Sequence, residues 1–303
     1  MTRVQRLFST ALAGGFALLI AACAGNGNLT PDLVFVSTRD GDYAIYSMSS
    51  AGDGQKRLTE AGGDPSSPGG LFFQIEPAWS PDGGRIAFAS KREGTFDLYV
   101  MNGDGTGTRR LTSTREDDGH PTWSPRGDRI AFSRGIEGDI YVMNADGSAM
   151  RRITENGAAE TQPAWSPDGR WIAYVKRTPG TELREVWLVR PDGSGERRLT
   201  SLGAASYSPA WSPDGTRIAF STDYRADQFD IYFVVVAGGD LQQATTSPDD
   251  SFEPAWSPDG ETIAFSEGGS IYSVESEGDP AELTASSGND SSPTWKPAFE
   301  AGR

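Results

Sequence analysis

The chain has 303 residues, with 27 Lys+Arg against 42 Asp+Glu for a formal charge of −15, and it holds one Cys and one His. These counts exclude a disulfide within the chain and a zinc site of three or four His and Cys ligands, and a Ser-His-acid triad would have to use His120. The acidic balance argues against nucleic acid as a partner, because a phosphate backbone needs clustered Lys and Arg. With 37 Gly and 19 Pro the chain is turn-rich, yet its 8 Trp, 9 Tyr and 14 Phe mark a sequence that folds.

Residues 1–22 read as an export signal. Arg3 and Arg6 precede an apolar run from Leu7 to Ala22, shorter than the roughly 20 residues that span a bilayer core. The only Cys follows at once. Ile20-Ala21-Ala22-Cys23 resembles the lipobox of bacterial lipoproteins, with Ile where Leu is commoner. The resemblance implies a lipidated Cys23 as the mature N-terminus and, with Ala24 next, sorting to the outer membrane where a host has two membranes. Loss of Arg3 and Arg6 takes the charge from −15 to −17. Residues 24–32 are small and polar and form a tether.

A repeat fills the rest. EPAWSPDG at 76–83 recurs as HPTWSPRG at 120–127, QPAWSPDG at 162–169, SPAWSPDG at 208–215 and EPAWSPDG at 253–260, with a short SPTWKP at 292–297. The tryptophans stand at 79, 123, 165, 211, 256 and 295, so the steps are 44, 42, 46, 45 and 39. Each full copy is followed by an Ile-Ala-aromatic element such as Ile86-Ala87-Phe88. A third element follows (DLYVM at 97–101) and then a fourth (RRLT at 109–112). All are short, rich in β-branched and aromatic residues, and bounded by Gly-containing turns, which predicts antiparallel strands in tight hairpins. Four strands per period of 40 to 45 residues predicts a propeller blade.

The phase of the repeat is informative. The Trp295 copy has no following strands, whereas Leu33-Val34-Phe35-Val36, Ala44-Ile45-Tyr46-Ser47-Met48 and Lys56-Arg57-Leu58-Thr59 are second, third and fourth strands without a first. The expected fold is an all-β, six-bladed propeller over 33–297 with four antiparallel strands per blade. The C-terminal first strand joins the three N-terminal strands and closes the ring. Residues 298–303 are left as a tail.

The repeated PxWSPDGxxIAF…DIYVM…RRLT resembles the TolB-type propeller repeats, also called WD40-like, across about residues 33–297. TolB carries an α/β domain before its propeller, and residues 24–32 cannot hold one. The resemblance implies a protein-binding wheel.

Trp, Pro-Asp-Gly and Ile-Ala-Phe are expected to be structural. The turns Asn102-Gly103-Asp104-Gly105 and Asn144-Ala145-Asp146-Gly147 superficially resemble calcium loops but lack the spaced acids and terminal Glu of an EF-hand, so they read as hairpin turns. Function is expected where the repeat varies. The residue before each Pro changes from blade to blade: Glu76, His120, Gln162, Ser208, Glu253, Ser292. These six should ring the channel mouth, as a ligand site or as the hydrated lining of a channel. Glu116-Asp117-Asp118 and Asp249-Asp250 should share that face with Arg39, Arg92, Arg134, Arg177 and Arg225, a mixed charge suited to protein recognition or to a solvated rim. The first crossing between blades takes 18 residues (59→77) where the others take 9. Its extra length brings Leu71, Phe72, Phe73 and Ile75 to the mouth face, either as a contact surface or folded over their own blade.

The leading functional expectation is a non-catalytic, exported, monomeric lipoprotein. It is anchored through its N-terminal lipid at the periplasmic face of the outer membrane and binds an envelope protein or peptide at the mouth. No cofactor is expected, although a calcium ion held by Glu76, Glu253, Asp117 or Asp250 is an alternative. The other reading is a polysaccharide lyase or hydrolase with its site in the channel, using Glu76 and Glu253 as a carboxylate pair. The repeat also resembles propeller lyases of the oligogalacturonate type, but these imply several metal-binding histidines and this chain has one.

Overall fold

The computed structural model describes residues 32–60, 73–135, 138–155, 157–225, 228–275 and 279–298, and these form strands and turns without a helix. Blade one holds β1 (Leu33–Ser37), β2 (Ala44–Met48) and β3 (Lys56–Arg57). Blade two is β4 (Gln74–Trp79), β5 (Arg85–Ser90), β6 (Asp97–Asn102) and β7 (Arg109–Arg110). Blade three is β8 (Asp118–Trp123), β9 (Arg129–Arg134), β10 (Asp139–Asn144) and β11 (Arg151–Arg152). Blade four is β12 (Glu160–Trp165), β13 (Ile172–Arg177), β14 (Arg184–Val189) and β15 (Arg197–Arg198). Blade five is β16 (Ser206–Trp211), β17 (Arg217–Thr222), β18 (Asp230–Val235) and β19 (Leu241–Gln243). Blade six is β20 (Ser251–Trp256), β21 (Thr262–Glu267), β22 (Ser270–Glu275) and β23 (Ala281–Glu282), and β24 (Asp290–Trp295) follows.

Each blade is one antiparallel four-stranded sheet, and blade one runs β24-β1-β2-β3. Leu33 pairs with Trp295 and Val34 with Thr294, so the two ends of the chain share one sheet, as the phase of the repeat predicts. Second strands are buried on both faces, as LVFVS of β1 shows, because each blade is covered by a neighbour on either side.

The core lies between blades. Val34 and Ile45 of blade one pack with Trp79, Ile86 and Phe88 of blade two, and equivalent clusters recur around the ring. Tryptophan is the hinge of each junction. Indole N–H groups of Trp123, Trp211, Trp256 and Trp295 donate to the carbonyls of Ala78, Ala164, Ala210 and Ala255 in the preceding blade at 3.1–3.2 Å. An arginine from that preceding blade lies over several of these rings: Arg85 over Trp123 at 4.6 Å, Arg129 over Trp165 at 5.1 Å and Arg217 over Trp256 at 4.5 Å. Blade one begins at β1 and has no such arginine. Lys296, just past β24, supplies the cation over Trp79 at 5.4 Å.

The turns explain the remaining repeated residues. In Ser80-Pro81-Asp82-Gly83, Ser80 Oγ donates to Asp82 Oδ1 at 2.5 Å and accepts the Arg85 N–H at 2.9 Å. At the far hairpin, Gly105 has φ +91°, and a Cβ there would stand 2.3 Å from the Leu58 carbonyl oxygen of the preceding blade. Glycine is therefore needed for the turn and for the junction. The fourth-strand threonine closes each blade. Thr59, Thr112, Thr154, Thr200, Thr245 and Thr284 each accept, through Oγ, the N–H of a third-strand residue at 2.8–3.0 Å. The second Arg of the Arg-Arg pair ties back as well, Arg110 to Asp97 at 2.5 Å and Arg152 to Asp139 at 2.6 Å.

Candidate binding site at the channel mouth

Every first strand bulges at the residue before its proline. The register with the second strand shifts there in all six blades. Glu76, His120, Gln162, Ser208, Glu253 and Ser292 all have φ between +51° and +56°, left-handed values that a non-glycine residue seldom adopts. Six bulges in register bring these side chains, with the prolines behind them, around one cavity of about 150 Å³.

They are paired across blade boundaries. The backbone N–H of His120 donates to Glu76 Oε2 at 2.5 Å, and His120 Nε2 is 3.0 Å from Glu76 Oε1. Ser208 N–H donates to Gln162 Oε1 at 2.9 Å, and Gln162 Nε2 donates to Ser208 Oγ at 3.2 Å. Ser292 donates to Glu253 through N–H at 2.6 Å and through its hydroxyl at 2.8 Å. The ring therefore alternates, with a long acceptor on blades two, four and six and its donor on blades three, five and one. Sequence reading found the six positions but not the pairing.

His120 Nδ1 lies 2.9 Å from Ser133 Oγ, which completes a Ser-His-Glu chain. Ser133 is only 5% exposed, and its hydroxyl also lies 3.2 Å from the Gly119 carbonyl oxygen. Through this contact the Ser133 hydroxyl helps to orient the imidazole towards Glu76.

Two of the arginines expected to offer mixed charge for recognition, Arg39 and Arg134, have inward carboxylate partners. Arg39 meets the buried Asp290 at 2.9 Å, and Arg134 meets the buried Asp118 at 2.6 Å. Burial pushes the Asp118 carboxyl up, against the opposing pull of the Arg134 guanidinium. Arg92 lies over the Tyr99 ring at 4.7 Å and Arg225 over Tyr224 at 5.7 Å. Asp117 and Asp250 accept the N–H groups of Phe96 and Phe229, both at 2.8 Å, and so shape their loops. The Asp104 carboxylate likewise turns onto its own hairpin, accepting from Thr106 N–H and Oγ. Among the described residues no group of three or more His, Cys, Asp or Glu is placed to hold a metal ion.

Aromatic side chains line the rim. Phe73 is half-buried, stacking on Tyr43 at 4.7 Å and meeting Phe96 edge-on at 6.1 Å. Ile75 packs against the core between blades two and three. Leu71 and Phe72 lie outside the described residues, as do Cys23 and the leader. A second aromatic cluster on blades five and six escaped the sequence reading: Phe229 lies 5.6 Å from Tyr207 and 4.9 Å from Phe252. Its signal was present, because Tyr207 and Phe252 each stand one place before a mouth residue. Tyr43, Leu183 and Tyr224 are the large apolar side chains left exposed among the described residues. All three belong to loops between second and third strands, on the mouth face.

A closed ring of six such repeats with a polar, paired mouth defines a TolB-type propeller. The chain belongs to the TolB beta propeller domain family, which matches residues 70–201 and 179–300. It is 33% identical over 91 residues to the Tol-Pal system protein TolB of Syntrophus aciditrophicus (strain SB), a match covering 29% of this chain and 19% of that protein. Among solved structures, TolB from Acinetobacter baumannii superposes with a TM-score of 0.78 at 20% identity, over 90% of this chain and 68% of that one. The putative TolB from Agrobacterium tumefaciens gives a TM-score of 0.65 at 20% identity, over 90% of this chain and 100% of that one. Hydrazine synthase from Kuenenia stuttgartiensis gives 0.69 at 15% identity, over 89% and 47%. Likeness at this level of identity concerns the fold.

Proposed function

We propose that this protein is a non-catalytic module of the bacterial envelope whose mouth face docks a protein or peptide. One observation carries the reading: Tyr43, Leu183 and Tyr224, the exposed large apolar side chains among the described residues, all lie on mouth-face loops. Two half-buried aromatic clusters stand beside them. Large apolar and aromatic side chains left exposed on one face are the kind of anchor that a protein contact buries. The name of the Syntrophus relative, a Tol-Pal system protein, suits a partner in the envelope. Cys23 carries the proposed lipid, which places the exported wheel at the periplasmic face of the outer membrane. Glu76 and Glu253, the pair a glycan hydrolase would use, are already engaged by N–H groups of the next blade, which favours binding over catalysis.

The test is capture from envelope extracts by wild type and by Tyr43→Ser/Phe73→Ser and Tyr224→Ser variants. A partner retained by wild type and lost from the variants, with unchanged melts, supports the reading. Identical capture by all three contradicts it.

A further inference from the structure

The face opposite the mouth carries a cationic cleft centred on a break in the repeat. The residue before each Ile-Ala-aromatic element is Arg85, Arg129, Trp171, Arg217 and Thr262. In blade four Trp171 thus stands where blades two, three and five carry an arginine. Trp171 and Trp211 border the same core cluster, and the Trp171 ring is faced by Arg190 at 5.4 Å and Arg197 at 5.3 Å. A cleft of about 480 Å³ opens there, lined by Arg129, Arg170, Trp171, Arg190, Pro191 and Asp192. It is lined by three guanidiniums and one carboxylate. Asp192 Oδ1 is already occupied, accepting Ser194 N–H at 2.9 Å and its hydroxyl at 2.6 Å.

These guanidiniums are held loosely, unlike those near the mouth. Arg129 has Asp128 at 3.9 Å and Arg170 has Asp168 at 3.8 Å, against 2.6 Å for Arg134 and Asp118. Arg170 is 81% exposed. Neither Arg190 nor Arg197 has a carboxylate partner within ion-pair distance among the described residues. Such a group of guanidiniums presents forked donors suited to phosphate oxygens.

The topology says what lies opposite this cleft. Strand β1 starts on this face: the Asp32 carbonyl accepts Lys296 N–H at 2.7 Å, and the Asp32 carboxylate accepts Ser50 N–H at 3.0 Å. Only nine residues, 24–32, separate Cys23 from the start of β1. A lipid on Cys23 thus turns the cleft towards the bilayer and the mouth away from it. We propose that Arg129, Arg170, Arg190 and Arg197 form a subsite for the phosphate of an anionic membrane phospholipid. The orientation rests on the lipid reading of Cys23; the subsite rests on the cleft itself.

The test uses residues 24–303, which keep every strand of the ring and lack the acylated cysteine. Vesicles of phosphatidylglycerol with phosphatidylethanolamine are compared with pure phosphatidylcholine. The chain should sediment with the former and not the latter, and about 0.5 M sodium chloride should release it. Arg170→Glu/Arg190→Glu should weaken binding by at least roughly tenfold, since each basic side chain near an anionic surface contributes measurably. Both residues are surface groups, so an unchanged melt shows that the variant is folded. Arg170→Lys should retain most of the binding. Residues 24–303 carry a charge of −17 and have no reason to approach an anionic vesicle without such a site, so absence of binding overturns the proposal. So does unchanged binding by the double Glu variant. Inorganic phosphate that displaces the chain at millimolar levels and also raises its Tm would assign the cleft to free phosphate and overturn the lipid. The mass of the mature N-terminus reports separately on Cys23. An unacylated terminus with retained vesicle binding removes the orientation and leaves the subsite standing.

Discussion

The Glu76 carboxylate accepts the backbone N–H of His120 from the neighbouring blade at 2.5 Å. That bond, repeated from Gln162 to Ser208 and from Glu253 to Ser292, ties the mouth together two blades at a time. Removing the acceptor should cost more than removing a hydroxyl donor. Glu76→Ala leaves a half-buried N–H without its partner and should destabilise by about 1–3 kcal/mol, whereas Ser292→Ala keeps its N–H bond and should lose less than about 1.5 kcal/mol. Urea titration of both variants checks the order, and a Glu76→Ala loss no larger than that of Ser292→Ala would contradict it.

The seam predicts a topological result. Deleting 290–303 removes β24, exposes the edge of β1 and strips Lys296 from Trp79. The truncated chain should lose its single cooperative melt. A circular permutant that places 290–298 ahead of β1 should recover it. A full cooperative transition in the truncated chain would count against closure.

Cation placement over the tryptophans suggests a stabilising change. Thr262 stands where Arg85, Arg129 and Arg217 stand, and it leaves Trp295 without a guanidinium from the preceding blade. Thr262→Arg should add about 0.5–1 kcal/mol. That should appear as a Tm rise of about 1–3 °C by calorimetry. A fall in Tm would show that the position tolerates only small residues.

The Ser-Pro-Asp-Gly turns contribute to the acid limit. Hydroxyl donation from Ser80, Ser212 and Ser257 holds the carboxyls of Asp82, Asp214 and Asp259 below the usual aspartate range. A folded-state pKa that is lowered favours the fold while the group is ionised. This contribution is therefore complete above about pH 4, near the unfolded value, and is lost as the pH falls through the lowered pKa. Stability followed from pH 6 downwards should drop below about pH 4, and the Asp82→Asn/Asp214→Asn/Asp259→Asn triple variant should show a shallower drop. An equal slope in both proteins would exclude these turns as the cause.

Much of this fold can be read from sequence because each blade repeats the same four strands and the ends of the chain are out of phase with them. That the strand of Trp295 joins the strand of Leu33 in one sheet follows from that phase. Partnerships between side chains distant in sequence were hidden. Arg39 and Asp290 are 251 positions apart, and their pairing turns an apparent recognition charge into a structural tie. The alternation of Glu76, Gln162 and Glu253 as acceptors depends on left-handed bulges, and Pro in the next position does not by itself specify those. The Asp97 to Arg110 tie lay inside the repeat, yet a charged residue at a strand end reads as solvated until its partner strand is in place. Phe229 was missed because its packing with Tyr207 and Phe252 joins neighbouring blades.

Which face of the wheel is occupied decides between docking at the mouth and docking elsewhere. A photo-crosslinking residue at Tyr43 on the mouth face, at Tyr224 on the same face, and at Asn144 on the opposite face can be compared in native envelopes. Mouth-face probes should give one discrete protein adduct of common identity, absent from Asn144. Adducts from Asn144 alone, or the same adduct from all three positions, would contradict a mouth-face docking site.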